Sequence, residues 1–220
     1  MAYLATVARQ SRGGRPHALL LDAGGWARGG RISDHFQGEP MIEIMNTLGY
    51  AAAGVGEHDL TWGPEILSRR AGEARFPVVC ANLKLPNLRP YVILTAGEIN
   101  VGITGLTCAA DEYLGAALSA VQILRREADV VLVLSHLGPE KDRQLAREVK
   151  GIDCILGAHN SSPDPQPGRE GGTVLAYSGE KAQALGALSL TLAVDKDQPI
   201  LEEFTISQQP ISQQRKEPAP

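Results

Sequence analysis

The sequence has no surplus of positive charge and no long apolar run. Its net charge is -4 at pH 7, and no cluster of Lys and Arg stands out in the 220 residues. A general nucleic-acid-binding protein is not expected, because binding to a phosphate backbone depends on basic side chains that release counterions. No segment approaches the roughly 20 apolar residues that a membrane helix requires. The sequence therefore predicts neither a nucleic-acid partner nor a membrane span.

Cysteine is scarce, and the N-terminus lacks a signal peptide. Cys80, Cys108 and Cys154 show no CxxC spacing and lie in or at the end of apolar runs, which predicts buried free thiols. Residues 2–10 have no basic segment followed by an apolar one. They have instead the pattern of a helix with no N-terminal cap. We therefore expect that the chain has lost an upstream piece.

Short apolar runs alternate with helical patterns, which predicts an α/β fold made of a two-sheet sandwich flanked by helices. The predicted domain covers residues 1–207, and the polar, proline-containing residues 208–220 are predicted to be a tail or linker. Residues 160–172 are predicted to be a long functional loop. The helices are predicted at residues 2–10, 39–48, 64–72, 114–127 and 140–150. The strands are predicted at residues 17–22, 51–55, 76–82, 91–94, 100–106, 130–135, 152–157, 173–177, 187–194 and 201–207.

Four segments end an apolar run with small and polar residues. They are LLDAGG at 20–25, GVGEHD at 54–59, LSHLG at 134–138 and LGAHNS at 156–161. Ligands in α/β folds bind beyond the carboxyl ends of the strands, so these polar residues are candidates for one site.

Further segments extend this pattern: MNTLGYAA at 45–52, FPVVCAN at 76–82, VGITGLT at 101–107 and ALGAL at 184–188. In this order the segments resemble the metallophosphoesterase (calcineurin-like) superfamily and, within it, the 5′-nucleotidase/UDP-sugar hydrolase branch. The resemblance runs from near residue 2 to about residue 207. It implies a metallo-dependent phosphatase-like fold, nucleotide-type phosphomonoester substrates, and two divalent metals roughly 3.5–4 Å apart. It also implies a periplasmic or extracellular location if the N-terminus is truncated.

Most of the two-metal ligands implied by this resemblance are missing. Gly25 stands at the position of the bridging Asp, Ser161 at that of the last ligand, and the opening Asp-x-His motif has no counterpart. Glu57 replaces an Asn ligand, while His136 and His159 match the two His ligands of one metal. Two imidazoles and one carboxylate form a recognised single-metal set. The resemblance thus implies one divalent ion at most, Zn, Mn or Fe.

Other interpretations of these residues stay open. Glu57, His136 and His159 could form a dry hydrogen-bonded cluster without metal. His58 matches the transition-state His of the family, but the position of its usual Asp partner is Thr61, so a structural or surface role is an alternative. Asp59 is either a substitute carboxylate or a turn cap.

The predicted function is a 5′-nucleotidase-like metallophosphoesterase of weak or lost activity that acts on a phosphorylated small molecule. The alternatives are a catalytically silent binding or assembly module on the same fold, and a fragment of a longer exported nucleotidase. No feature of the sequence identifies a protein partner.

Overall fold

The computed structural model describes residues 2–159, 167–179, 184–195 and 198–211. The helices are α1 (Ala2–Arg12), α2 (Arg31–His35), α3 (Glu39–Leu48), α4 (Pro64–Glu73), α5 (Tyr113–Leu124) and α6 (Pro139–Glu148), together with a 3-10 helix at Glu57–Leu60. The strands are β1 (Leu21–Asp22), β2 (Ala52–Ala53), β3 (Val78–Val79), β4 (Leu88–Arg89), β5 (Tyr91–Ala96), β6 (Ile99–Thr107), β7 (Val130–His136), β8 (Cys154–Gly157), β9 (Gly168–Glu170), β10 (Thr173–Tyr177), β11 (Ala184–Asp195) and β12 (Gln198–Pro210). The predicted α/β class is confirmed.

The strands form three sheets. A parallel sheet has the order β1-β2-β3-β4, and a mixed sheet has the order β5-β6-β7-β8-β10-β9. Within the mixed sheet β6, β7, β8 and β10 are parallel, while β5 and β9 are antiparallel edge strands. The hairpin of β11 and β12 is a separate antiparallel sheet, which the two-sheet prediction did not separate from the others.

The core has three layers of apolar side chains. One layer lies between α3 and α4 and the four-stranded sheet, and includes Ile42 and Leu67. A second layer lies between the two larger sheets, where Val79 meets Ile103. The third lies under α5 and α6 and includes Leu124. The molecule is therefore a sandwich of two sheets with helices on both outer faces, as the sequence predicted.

Helix α3 begins and ends where the sequence predicted, because local signals mark both of its ends. Pro40 lies in its first turn. Backbone N–H groups in the first turn have no partner within the helix, so the N–H that proline lacks costs no helical hydrogen bond. Gly49 follows its last residue with φ of 68° and donates its N–H to the backbone oxygen of Asn46. The left-handed conformation at Gly49 is the one that glycine adopts without a steric penalty.

Several strands are shorter than their apolar runs predicted. The run at 17–22 contains only β1, and the run at 76–82 contains only β3. An apolar run reports burial, whereas a strand also needs a hydrogen-bonded neighbour. The predicted long loop contains β9, and β12 continues to Pro210, beyond the predicted domain end at 207. Among the helices of the described residues, none has the length and apolar character needed to cross a bilayer.

Candidate functional site

Polar side chains converge at the carboxyl ends of four strands. Cys108 follows β6, His136 is the last residue of β7, and His159 lies just beyond β8. Glu57 begins the 3-10 helix that follows β2 in the other large sheet. Since β6, β7 and β8 are adjacent and parallel, their carboxyl ends meet at one edge. The structure thus brings the predicted residues Glu57, His136 and His159 together.

The Glu57 carboxylate lies among three imidazole rings. Its Oε2 is 3.0 Å from Nε2 of His136, and its Oε1 is 3.2 Å from Nδ1 of His159. The Nε2 of His58 is 3.5 Å from Oε1. The His136 side chain is only 6% exposed, whereas those of His58 and His159 are 52% and 45% exposed. The cluster therefore has a buried inner end at His136 and an outer end open to solvent.

The electrostatics of the cluster favour an ionised carboxylate beside a neutral inner imidazole. Burial opposes ionisation of Glu57, but its own backbone N–H and the nearby His136 and His159 outweigh burial and lower its pKa. Burial lowers the pKa of His136, although the Glu57 charge acts in the opposite direction. Carboxylate and neutral imidazole are the forms of these groups that bind metal ions.

The hydrogen-bond partner of the other ring nitrogen assigns the tautomer of His136. Its Nδ1 lies 3.1 Å from the backbone oxygen of Ala23. Because a carbonyl oxygen only accepts hydrogen bonds, Nδ1 carries the proton and Nε2 presents a lone pair in the neutral ring. That lone pair faces Oε2 of Glu57 at 3.0 Å. Two acceptors at this distance require a cation between them, either a proton or a metal ion.

Glycines form the seat of the His136 ring. A Cβ at Gly25 would lie 3.0 Å from Cε1 of His136, and one at Gly56 would lie 2.7 Å from its Nε2. Gly25 also has φ of 83°, in the left-handed region. Gly25, the predicted position of the bridging Asp, is thus bare backbone packed against an imidazole and offers no carboxylate.

Asp59 is a cap that also joins two loops. Its Oδ2 accepts from the N–H groups of Gly56 and Gly25, and its Oδ1 accepts from the N–H of Ala27, each at 2.8 Å. The side chain is buried, and burial raises its pKa to about 7 although all three N–H donors act to lower it. Of the two interpretations left open for Asp59, the geometry fits the cap, because all three bonds go to backbone.

Thr61, the predicted position of the Asp that would orient the His58 ring, makes no hydrogen bond to that ring. The hydroxyl of Thr61 donates to the backbone oxygen of His58 and does not contact the ring. Glu57 is the ion-pair partner that the described residues give to the His58 ring. Ser161, the predicted position of the last ligand, lies outside the described residues. Asp22 accepts from the N–H of Gly24 and stabilises the turn after β1.

Cys108 is a member of the cluster that the sequence analysis placed among buried thiols. Its Sγ lies 3.4 Å from Oε2 of Glu57, and the side chain is only partly buried. Donor atoms of Glu57, Cys108 and His159 all lie within 4.8 Å of one another. Within the described part of the chain His136 does not belong to that compact group, and it meets the cluster through Glu57. The available signal was the position of Cys108 directly after a strand.

A second buried carboxyl supports the strand that carries His136. Asp142 on α6 accepts from the hydroxyl of Ser135, and its other oxygen accepts from Tyr177 at 3.2 Å. Burial raises the pKa of Asp142 to about 6, although both hydrogen bonds act to lower it. This network ties α6 to β7 and β10.

We expect Asp142 to make the protein more stable in mild acid. The pKa of about 6 exceeds the usual value of 3.8, so the folded protein retains a proton that the unfolded chain releases above pH 4. The stabilisation is complete below about pH 4 and is lost as the pH rises through about 6, a change of about 3 kcal/mol. Urea unfolding between pH 4 and 8 should therefore show a weaker pH dependence for Asp142→Asn.

The exposed Glu140 on the same helix provides the control for this experiment. The Glu140→Gln variant should follow the pH dependence of the wild type. Parallel curves for the wild type and Asp142→Asn would contradict the assignment.

An apolar cavity of about 390 Å³ lies between β1 and the β11–β12 hairpin. Leu19, Leu132 and Leu188 are among its lining residues, whereas Glu57 and the three histidines of the cluster are not. A cavity of this chemistry offers few partners for a charged ligand. The polar cluster, and not this cavity, is therefore the candidate site.

Comparison with known proteins identifies 5′-nucleotidases among the proteins that this chain resembles in sequence. The chain is 33% identical to the 5′-nucleotidase of Bos taurus over 186 residues, which cover 74% of this chain and 32% of that protein. The chain therefore spans about a third of the length of this relative. No protein-family model matches the chain.

Two solved structures share the fold. The calcineurin-like phosphoesterase YfkN from Bacillus subtilis superposes with a TM-score of 0.80 at 23% identity, covering 96% of this chain and 82% of that one. The 5′-nucleotidase precursor from Thermus thermophilus gives 0.78 at 24% identity, covering 94% of this chain and 48% of that one. At this level of identity the superpositions establish the architecture.

Proposed function

The chain belongs to the 5′-nucleotidase branch of the metallophosphoesterase (calcineurin-like) superfamily, and from this premise we propose that it is a slow, single-metal phosphoester hydrolase. In this proposal Glu57, His136 and His159 hold one divalent ion. The substrates are phosphomonoesters of the nucleotide type, a class that the names of the relatives suggest. The activity is weaker than that of a two-metal enzyme.

The observation that carries the proposal is the arrangement of Glu57 between two imidazoles. His136 donates through Nδ1 to Ala23, so in the neutral ring its Nε2 lone pair faces the carboxylate at 3.0 Å. A divalent cation between them would convert this unfavourable pair of acceptors into a pair of ligands. The donor set of imidazole and carboxylate fits Zn, Mn or Fe.

A bound divalent ion would polarise the phosphoryl oxygens and lower the pKa of a coordinated water. The residues of the chain supply the remaining functions. The Ala23 carbonyl fixes the tautomer of His136 and holds its ring in place. The solvent-exposed His58 lies at the open end of the cluster, where it can donate a proton to a leaving oxygen.

The slow rate follows from the absent bridging carboxylate. Gly25 offers no ligand, and its N–H is already bonded to Asp59. Paired metal ions stabilise both the attacking and the leaving oxygen, and a site that holds one ion lacks part of this stabilisation. The loss of one member of a coupled site commonly costs orders of magnitude in rate.

Replacement of Glu57 tests this proposal. We expect wild-type protein with Mn²⁺ or Zn²⁺ to hydrolyse AMP or nitrophenyl phosphate slowly, and Glu57→Gln to lower kcat/KM by about 100-fold because the ligand charge is lost. Elemental analysis of both proteins should show metal only in the wild type. Glu98→Gln, in the exposed β5–β6 turn, is the matched control and should retain full activity. A wild-type protein that neither binds metal nor hydrolyses either ester would overturn the proposal.

The second candidate function is a catalytically silent binding module. The observation that favours it is the set of ion pairs that Glu57 makes with His136, His159 and His58. A protonated imidazole can satisfy the carboxylate without any ion. AMP binding by calorimetry, unaffected by chelator and with no turnover, would favour the module over the hydrolase.

A further inference from the structure

The position of Cys108 adds a soft donor to the proposed metal site. Its Sγ is 3.4 Å from Oε2 of Glu57, and Nδ1 of His159 is 3.2 Å from Oε1 of the same carboxylate. Around a tetrahedral zinc ion with bonds of roughly 2.0–2.3 Å, donor atoms lie roughly 3.3–3.6 Å apart. The sulfur–oxygen and nitrogen–oxygen distances are therefore close to those between ligands around one ion, and the donor atoms of all three residues lie within 4.8 Å of one another.

The backbone around Cys108 is held in place by an amide side chain. Asn82 accepts from the N–H of Thr107 at 3.0 Å and donates to the oxygens of Thr107 and Ala110 at 2.8 and 3.0 Å. The N–H of Cys108 donates to the oxygen of His136 at 3.2 Å. The thiol is thus presented by a loop that is fixed on both sides, which is the support that a ligand residue requires.

His159 is held in an unusual conformation on the opposite side of the cluster. Its φ is 62°, which is uncommon for a residue other than glycine. This backbone conformation directs a ring that lies 3.2 Å from Glu57. Residues in such conformations persist where the surrounding structure enforces them, and they concentrate at functional sites. Cys108 and His159 are therefore both held next to the Glu57 carboxylate by the backbone around them.

We propose that Cys108 is a ligand of the single metal ion and that its thiolate makes the site selective for thiophilic ions such as Zn²⁺ over Mg²⁺ and Mn²⁺. The inference rests on the proposed function, because it assigns a further ligand to the same site. Thiolate favours zinc, whereas a set of oxygen ligands favours magnesium and manganese. On binding, the Cys108 proton passes to solvent and a metal–sulfur bond forms.

Cobalt provides a spectroscopic test that does not depend on activity. Metal-free protein is titrated with Co²⁺, and the near-ultraviolet absorbance is recorded for the sulfur-to-cobalt charge-transfer band. The wild type should develop this band and Cys108→Ser should not. Calorimetry should show that Cys108→Ser weakens Zn²⁺ binding by about 10–100-fold while Mn²⁺ affinity changes by less than about 3-fold.

Cys154→Ala is the matched control, because Cys154 is fully buried in β8 and lies outside the cluster. It should retain the band, and circular dichroism shows whether each variant is folded. If Cys154→Ala is unfolded, Cys108→Ala replaces it as a second test and should also lack the band.

The possible outcomes separate the two proposals. Co²⁺ binding without a charge-transfer band, or a band that persists in Cys108→Ser, overturns the role of Cys108 and leaves the hydrolase proposal standing. Failure of the wild-type protein to bind Co²⁺, Zn²⁺ or Mn²⁺ overturns the single-metal site itself.

Discussion

Replacing Asp59 with Ala is expected to lower the free energy of unfolding by about 3–4 kcal/mol. The buried Asp59 side chain accepts hydrogen bonds from the N–H groups of Gly25, Ala27 and Gly56, each at 2.8 Å. Burial raises the pKa of Asp59 to about 7, so we use the net contribution of an ordinary hydrogen bond, about 0.5–1.5 kcal/mol, to which a buried donor without a partner adds a desolvation cost. The variant leaves three such donors without their acceptor. Chemical denaturation monitored by circular dichroism measures the difference.

Two further variants make this prediction specific. Asp59→Asn retains one carbonyl oxygen, so its loss should be about half that of Asp59→Ala. Asp34→Ala is the control, because this exposed side chain accepts one N–H, from Gly29 at 3.2 Å. Its effect should stay below about 1 kcal/mol. Equal effects for Asp34→Ala and Asp59→Ala would show that Asp59 does not hold the two loops together.

Under the proposed function, the same variant should also weaken metal binding, because the two loops that Asp59 joins form the seat of the His136 ring. Gly25 and Gly56, whose N–H groups Asp59 accepts, both pack against that imidazole. Release of the loop frees the ring, and freedom in a ligand lowers metal affinity. Asp59 is therefore a positioning residue of the candidate site.

Replacing Gly105 with Ala is expected to cost about 4 kcal/mol or more, or to prevent folding. A Cβ at Gly105 would lie 2.1 Å from the backbone oxygen of Val79 in the opposing sheet. The obstacle is backbone and not the end of a flexible side chain, so the two sheets would have to move apart. Overpacking of an ordinary core costs about 1–3 kcal/mol, and a rigid obstacle raises that cost.

Gly168 provides the matched control for this substitution. It lies in β9, a Cβ there would meet nothing within 4 Å, and its φ is not in the left-handed region. Gly168→Ala should therefore change stability by less than about 0.5 kcal/mol. Thermal melting and the soluble yield of the two variants compare them directly. A folded Gly105→Ala protein with an unchanged melting temperature would contradict the predicted clash.

Much of the architecture was predicted from local sequence patterns. These predictions were right where neighbouring residues determine the bounds of a helix or strand. Helix α3 has the ends that were predicted, and in the structure Pro40 and Gly49 act on the residues next to them. The strands β5 and β6 were predicted from the apolar runs at 91–94 and 100–106, and the structure pairs them as an antiparallel hairpin. The strand β3 was predicted too long, since its length depends on partners elsewhere in the chain.

The candidate site was predicted in part. The resemblance singled out Glu57, His136 and His159, and the structure places the two imidazoles within 3.2 Å of the carboxylate. Cys108 was placed among buried thiols because its neighbours in sequence are apolar. Its neighbour in the cluster, Glu57, lies in the 3-10 helix that follows β2, 51 positions earlier in the chain. No spacing rule connects two residues so far apart.

The sequence by itself determined the α/β alternation, most of the strands along the chain and the presence of Gly25, which has no side chain, after β1. These properties depend on residue type and on neighbours within a few positions. The tertiary structure alone decided that Cys108 joins the cluster, that Asp59 holds two loops through three N–H groups, and that Gly105 has no room for a side chain. Each of these depends on the distance between segments that are separated in the sequence and that the pairing of strands or the packing of the two sheets brings together.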